Sequence, residues 1–235
     1  MAADPRDALN KARSAFKAGH FAEALEQYEH FFEHALDDDP AALYGVRLSY
    51  CLAEWASLGE HYPRALERLR EKAAGSLDLL TKTREPERFH DFIAICKHLK
   101  RTDEPIRQFL VYHSSDSDLA KSIVRFVWAQ LVERKLWSIC SEYLPDPGAK
   151  YELAIAKFDQ AMEVCASDPS LGGNDFAEQI KEWYVRDVTN LLLVLTNTGR
   201  VGEAAKVRAS MVADMGTRGY PQLIGVVDAG VSSNE

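Results

Sequence analysis

The segment FAEALEQYEHFFEHAL, residues 21–36, carries the pattern that decides the fold. Its apolar residues recur at intervals of three and four, which places them on one stripe of an α-helix. The members of this stripe are Ala24, Leu25, Tyr28, Phe31, Phe32, Ala35 and Leu36. Charged residues occupy the opposite side, so the segment predicts an amphipathic helix with one buried face.

The same helical period recurs along nearly the whole chain, whereas strand-like alternation is almost absent. Most connections between the periodic segments are short, which makes neighbouring helices pack antiparallel. We predict helices near 6–18, 21–37, 40–58, 63–81, 85–100, 104–113, 118–133, 135–144, 149–166, 176–197 and 202–215. The predicted fold class is therefore all-α, with about 10–11 helices arranged as antiparallel pairs.

The length of 235 residues suits a single elongated array of helices over residues 1–215. Two longer connections, near 114–117 and 167–175, are the places where this array would be subdivided. Residues 216–235 contain several glycines and a proline, and we predict that they form a C-terminal tail.

The composition indicates a folded, soluble protein, because 46 % of the residues are hydrophobic and 27 % are charged. The formal net charge is −8 and no long basic stripe is present, which disfavours nucleic-acid binding. The longest apolar run, Leu191–Leu195, is too short to cross a bilayer. The N-terminal residues lack an apolar secretion segment, so we expect a cytoplasmic protein without a membrane partner.

The cysteines and tryptophans mostly fall on apolar helical stripes. They are Cys51, Cys96, Cys140 and Cys165, and Trp55, Trp128, Trp137 and Trp183. No pair of cysteines has the C-x-x-C spacing, so neither a zinc knuckle nor a dithiol redox site is indicated. We predict buried, reduced thiols and indoles that pack in the core.

One short motif has the spacing of a metal site. His30-Phe31-Phe32-Glu33-His34 reads H-x-x-E-H, in which two histidines one turn apart bind zinc beside a general base. The two phenylalanines belong to the buried stripe, however, so the histidines point outward. We interpret the motif as a solvated helix face and keep a zinc-dependent hydrolase as a remote alternative. No catalytic residue, metal or cofactor is assigned, and we predict that the protein is not an enzyme.

Four segments resemble the turn and second helix of a tetratricopeptide repeat. They are Gly19–Ala24 (followed by Tyr28 and Phe31), Gly59–Ala65, Gly148–Ala154 and Gly199–Ala204. In this family glycine permits a tight turn, alanine lets the two helices approach, and an aromatic side chain fills the wedge between repeats. Ala24 and Ala65 are 41 residues apart, against a repeat of about 34, so the helices are longer than usual. The resemblance implies a solenoid, a right-handed superhelix of helix pairs.

The resemblance also implies a concave groove, lined by the first helix of each pair, that binds a peptide or a partner helix. Counting back from the turns gives the candidate peptide-binding residues Arg6, Arg13, Lys17, Ser49, Tyr50, Arg186 and Thr189. Some family members hold a peptide C-terminus with lysine and asparagine, but Leu9, Ser49 and Ala53 stand at those positions. The three cations of the first helix, Arg6, Arg13 and Lys17, are open to two interpretations: ordinary solvated charges, or a stripe that binds an acidic or mixed peptide.

These patterns predict a non-catalytic adaptor or scaffold that binds a protein or peptide in its groove. A regulatory module that senses a peptide or small ligand is the alternative, and a homodimer stays open. Since one fold hosts many functions, the architecture is better specified than the partner.

Overall fold

The computed structural model of the chain describes residues 5–38, 40–168 and 174–233. These residues are helical nearly throughout and contain no β-strand, which confirms the all-α prediction. The chain divides into two compact units, Met1–Phe126 and Val127–Glu235. This boundary lies between the two places considered for a subdivision, near 114–117 and 167–175, and the single array over 1–215 stays a prediction.

The first unit starts with two helices joined by a tight turn, followed by a long rod in which two α-helices flank a π-helical turn. Its elements are α1 (Pro5–Lys17), α2 (Phe21–Asp38), α3 (Pro40–Val46), the π-turn (Arg47–Cys51), α4 (Leu52–His61), α5 (Pro63–Thr83), α6 (Glu87–His98), α7 (Glu104–Ser115), α8 (Ser117–Ile123) and a 3-10 turn (Val124–Phe126). The stripe of α2 is buried as predicted, with Ala24, Phe31 and Ala35 fully inaccessible.

The turn between α1 and α2 depends on Gly19, whose φ of 78° lies in the left-handed region that glycine adopts without strain. The backbone N–H of His20 donates to the carbonyl of Ala15 at 2.9 Å and closes the end of α1. The turn predicted at this glycine is confirmed.

Gly59 has a different role from the one its sequence context predicts. It lies inside α4 and is buried, and the chain turns three residues later, at the extended Tyr62. A Cβ atom at Gly59 would lie 2.3 Å from Cγ of Leu66. The glycine is therefore required where α4 packs against α5, and its placement as a turn residue is wrong.

The predicted helix 118–133 is interrupted. α8 ends at Ile123, a 3-10 turn follows, and Val127 has a φ of −116° and a ψ of 0° before the next helix begins at Trp128. Three of the four interrupting residues, Val124, Phe126 and Val127, are β-branched or aromatic, types that lose side-chain freedom in a helix. The ring of Phe126 stacks on His90 with centroids 4.8 Å apart, so tertiary contacts override the helical period.

The second unit contains six helices in the part of the chain that the structure describes. They are α9 (Trp128–Glu133), α10 (Trp137–Glu142), α11 (Pro147–Ser167), α12 (Asn174–Asn197), α13 (Val201–Thr217) and α14 (Gln222–Ser232). α12 lies at the centre of this unit, packs against α9, α10, α11, α13 and α14, and buries the run Leu191–Leu195. Gly199, with a φ of 73°, forms the predicted turn into α13, whereas Gly148 lies within α11.

Most of the predicted tail is a helix. α14 buries Leu223 and Val227 against the unit and packs on α12. Its glycines sit at 225 and 230, and the backbone at Gly230 approaches Thr189 so closely that a Cβ there would lie 3.1 Å from Cγ2 of Thr189. Glycine lowers helix propensity, which explains why the composition alone indicates a tail. In α14 the glycine also permits the close approach to α12.

The cysteine prediction holds for three of four residues, since Cys51, Cys96 and Cys140 are buried and Cys165 is half-buried. Burial raises the pKa of each of the three buried thiols to about 12. The tryptophan prediction is wrong at one position. Trp55 and Trp128 are buried and Trp137 is half-buried, but Trp183 is 41 % exposed.

Candidate functional site

The predicted groove cation Arg13 forms an internal ion pair. Its Nε and Nη2 atoms donate to the carboxylate of Glu54 on α4 at 2.8–3.1 Å, and the Tyr28 hydroxyl donates to the same carboxylate at 3.3 Å. The hydrogen bond that Arg13 donates to Glu54 raises the pKa of Arg13, while burial and then the Glu54 charge raise the pKa of Tyr28. Arg13 therefore joins α1 to α4, and its charge is already balanced within the protein.

Lys17 is exposed at the end of α1, and Ser49 and Tyr50 are exposed on the rod. α1 and the α3–α4 rod run in the same direction, because Arg13 meets Glu54 and, further along both helices, the rings of Phe16 and His61 are 5.6 Å apart. We call the surface formed by Arg13, Lys17, Ser49, Tyr50 and Glu54 the α1–α4 face. The side chain of Arg6 lies outside the described part of the chain.

The α1–α4 face has an aromatic side chain standing beside small residues. Tyr50 is 64 % exposed. Gly45, Ser49 and Ala53 are exposed on the same rod, and the Ser49 hydroxyl donates to the Gly45 carbonyl at 2.6 Å. The face is therefore shallow next to Tyr50, with a backbone that an extended segment could approach.

The H-x-x-E-H motif lies on α2, and its polar side chains have partners on the protein surface. His34 Nδ1 is 2.9 Å from an Asp37 carboxylate oxygen, Glu33 pairs with Lys72 of α5, and the rings of His30 and His34 have centroids 4.7 Å apart. Among the described residues, no three or more His, Cys, Asp and Glu side chains converge as a metal site would require.

A buried ion pair that sequence patterns did not reveal lies under the π-turn. Arg47 Nη1 and Nη2 donate to the two carboxylate oxygens of Asp91 at 2.5 and 2.9 Å, and Nε donates to the Phe32 carbonyl at 2.6 Å. Arg47 and Asp91 are each 4 % exposed. The two residues are 44 positions apart, on the rod and α6, so helical periodicity marks neither as the partner of the other. This pair ties the rod, α2 and α6 together.

A cavity of about 340 Å³ opens above this pair, between α2 and α5. Ion pairs cross its rim, with Arg68 Nε donating to Glu29 at 2.6 Å and Lys72 pairing with Glu33. The cations that line this cavity thus face carboxylates, and the cavity has no strong net charge for a ligand of either sign. We interpret it as a structural junction of helices.

In the second unit, Arg186 and Thr189 occupy different environments. Arg186 is exposed on α12, with Nε 3.6 Å from a carboxylate oxygen of Asp187. Thr189 is half-buried against α14, and its hydroxyl oxygen is buried without a hydrogen-bond partner in the described residues. Because α14 packs there, Thr189 is not on an open groove, which corrects the position that the sequence predicted for it.

Arg186 lines a groove between α11 and α12, which we call the α11–α12 groove. Its volume is about 200 Å³. The lining residues are Ala154, Lys157, Phe158, Ala161, Ile180, Trp183, Tyr184, Arg186 and Asp187. Six of the nine side chains are apolar or aromatic, and the charged ones stand at the rim.

A larger cavity of about 400 Å³ lies between α11 and α13. At its floor the Tyr151 hydroxyl donates to Asp214 at 2.9 Å, and Asp214 also accepts from Arg218 Nη1 at 2.7 Å. Burial raises the pKa of Tyr151, and its hydrogen bonds with Tyr184 and Asp214 act in the same direction. Tyr151 is therefore a neutral hydrogen-bond donor at physiological pH.

A comparison with protein-family models, with curated proteins and with solved structures finds no match for this chain. The function is therefore inferred from the side-chain geometry of the two units. Each helix in the described ranges is too short or too polar to span a lipid bilayer.

Proposed function

We propose that the protein is a non-catalytic interaction adaptor, a tetratricopeptide-like solenoid that binds a segment of a partner protein along the α1–α4 face. The observation that carries this proposal is Tyr50, which is 64 % exposed beside the small residues Gly45, Ser49 and Ala53. Tyrosine is enriched among the residues that dominate binding energy, because it buries a large area and keeps a polar end.

The helix-pair architecture supports the tetratricopeptide-like part of the proposal. Gly19 and Gly199 have left-handed φ values at the ends of α1 and α12, where the family places its turns. Ala24 and Ala65, the small residues of the resemblance, are fully buried where neighbouring helices approach. These features are expected of stacked helix pairs, in which small residues set the distance between helices.

The charges of the α1–α4 face favour a partner segment that is acidic or mixed. Glu54 neutralises Arg13, which leaves Lys17 as the exposed cation at the end of α1. A carboxylate beside Lys17 and an apolar side chain against Tyr50 would use both features. Electrostatic attraction of this kind increases the rate of association and the specificity more than the affinity.

The test is capture of the partner by the full-length chain with a photo-crosslinking amino acid in place of Tyr50. A crosslinked partner that the wild-type chain also retains in a pull-down, and that a Tyr50→Ala, Lys17→Glu variant fails to retain, would support the proposal. Val111→Ala is the matched control, because Val111 is 55 % exposed in the same unit but outside the face. Arg13 stays unchanged, since its ion pair with Glu54 contributes to folding. The proposal would be contradicted if the double variant captured the partner as well as the Val111→Ala control does, or if position 50 gave no crosslink.

The cavity between α11 and α13 favours a second candidate, a module that senses a small ligand. Its volume of about 400 Å³ falls within the range of about 300–1,000 Å³ typical of small-molecule sites. A ligand that binds there raises the melting temperature by mass action. Ser210 is exposed and lines the cavity, so Ser210→Trp should block the mouth and abolish the shift, whereas Tyr50→Ala should not.

A further inference from the structure

We propose that the α11–α12 groove binds an acidic amphipathic helix of a partner protein. A large apolar side chain of that helix would lie against Trp183, and its carboxylates would pair with Lys157 and Arg186. This surface belongs to the second unit, so the inference is independent of the α1–α4 face.

The floor of the groove provides a preformed apolar seat. Phe158, Ile180 and Tyr184 are buried there, and the rings of Phe158 and Tyr184 have centroids 5.2 Å apart. Ala154 and Ala161 on α11 leave space above them. With a volume of about 200 Å³ the groove is smaller than the roughly 300 Å³ of the smallest typical cofactor or drug sites. It therefore suits one or two apolar side chains of a larger partner.

Trp183 is the anchor on the protein side. Its side chain is 41 % exposed although it lines an apolar groove. Phe176 packs edge-on against the indole, with centroids 6.1 Å apart, so the ring is held in place. A rigid, partly exposed tryptophan gains much buried area on binding and loses little conformational freedom.

The charge at the rim selects the sign of the partner. Lys157 and Arg186 are exposed cations, whereas Asp187 is the one carboxylate among the lining residues and lies beside Arg186. Lys150, over the Trp128 ring, also interacts with Asp187, so that carboxylate is shared between two cations. The rim is thus locally positive on a chain whose net charge is −8.

Two of the acidic side chains of α12 outside the lining, Glu178 and Glu182, have partners on the same helix. Lys181 donates to Glu178 at 2.6 Å and Gln179 donates to Glu182 at 3.0 Å. Complementary charge at such a rim steers encounter and excludes basic partners. A groove between two packed helices accepts side chains at positions i, i+3, i+4 and i+7 of a third helix. We therefore infer that the partner segment is helical.

The test uses a designed peptide of about 15 residues, the length at which an isolated helix begins to form. It has leucine at i, i+3, i+4 and i+7 and glutamate on the other faces, and its matched counterpart has lysine for every glutamate. Binding to the full-length chain is measured by fluorescence anisotropy of the labelled peptide. We expect the acidic peptide to bind and its basic counterpart to bind about tenfold more weakly or not at all.

Charge reversal on the protein supplies the second measurement. Lys157→Glu, Arg186→Glu should weaken the acidic peptide by about tenfold and improve binding of the basic one. Lys206→Glu reverses one charge on α13, outside the groove, and should leave the binding of both peptides unchanged. The proposal would be overturned if both peptides bound equally or if neither bound. It would also be overturned if the chain formed a concentration-dependent dimer that covers the groove. Retained melting temperatures identify the folded variants, and the gain with the basic peptide can arise only from a folded groove.

Discussion

At the scale of single residues, the packing of α4 against α5 requires that position 59 has no side chain. A Cβ there would meet Leu66 at 2.3 Å, whereas one at Gly75 of α5 would meet no atom within 4 Å. We expect Gly59→Ala to lower the free energy of unfolding by about 1 kcal/mol, because overpacking outweighs the helix propensity of alanine. Gly75→Ala should raise it by about 0.5–1 kcal/mol. Urea denaturation of both variants checks this, and a gain at both positions would show that α4 and α5 pack less closely.

The Arg47–Asp91 pair yields a second prediction at this scale. Both groups are 4 % exposed, so Asp91→Ala leaves a buried guanidinium without its counter-ion. We expect a loss of about 3–5 kcal/mol in the free energy of unfolding, measured by chemical denaturation. The double change Arg47→Met, Asp91→Leu should recover most of this loss, because two apolar side chains avoid the desolvation penalty. A double variant as unstable as the single one would contradict this explanation.

At the scale of elements, the sequence predicts helices well wherever one apolar stripe continues without a break. α2 is predicted within one residue at its C-terminal end, since its stripe is uninterrupted from Ala24 to Leu36. The helical period predicts neither the break between α8 and α9 nor the π-turn of the rod. Residues at both places contact side chains far along the chain, Phe126 with His90 and Arg47 with Asp91. Propensity and period are local quantities and contain no information about such partners.

α14 is the element whose contribution can be measured most directly. Val227 is fully buried and its neighbour Val226 is 53 % exposed, so the two residues form a matched pair. Val227→Ala should cost about 1–3 kcal/mol and release the amides of α14 to hydrogen exchange, because a cavity forms under the helix. Val226→Ala should leave both unchanged. Native-state hydrogen exchange resolves the effect by segment, and equal protection in the two variants would show that α14 does not depend on this contact.

At the scale of the whole molecule, the candidate sites were harder to predict than the fold. The exposure of Tyr50 and Arg186 follows from the helical period, so these residues could be selected from the sequence. The ion pair of Arg13 with Glu54, 41 residues away, and the packing of α14 on Thr189 depend on tertiary contacts that periodicity does not encode. The sequence pattern predicts a core position for the exposed Trp183, because an apolar stripe does not show which of its members another helix covers.

The stability of the whole molecule should fall steeply at alkaline pH because of its buried thiols. Burial raises the pKa of Cys51, Cys96 and Cys140 from 9.0 to about 12, so the unfolded chain releases these protons first as the pH rises. The contribution of these thiols to folding stability is thus present well below about pH 9 and is lost between about pH 9 and 12, by about 1.4 kcal/mol per pH unit for each thiol once the unfolded chain is ionised.

Urea denaturation between pH 9 and 10.5 measures this slope in the window where the thiols titrate in the unfolded chain before most of its tyrosines. The variant Cys51→Ala, Cys96→Ala, Cys140→Ala starts less stable, since it has three small cavities, but its stability should decline much less with pH. Cys165→Ala is the matched control and should keep the wild-type slope, because the three buried thiols remain. An unchanged slope in the triple variant would mean that other groups control the alkaline limit, and the tyrosines Tyr44 and Tyr184, whose pKa values burial also raises, would be next to test.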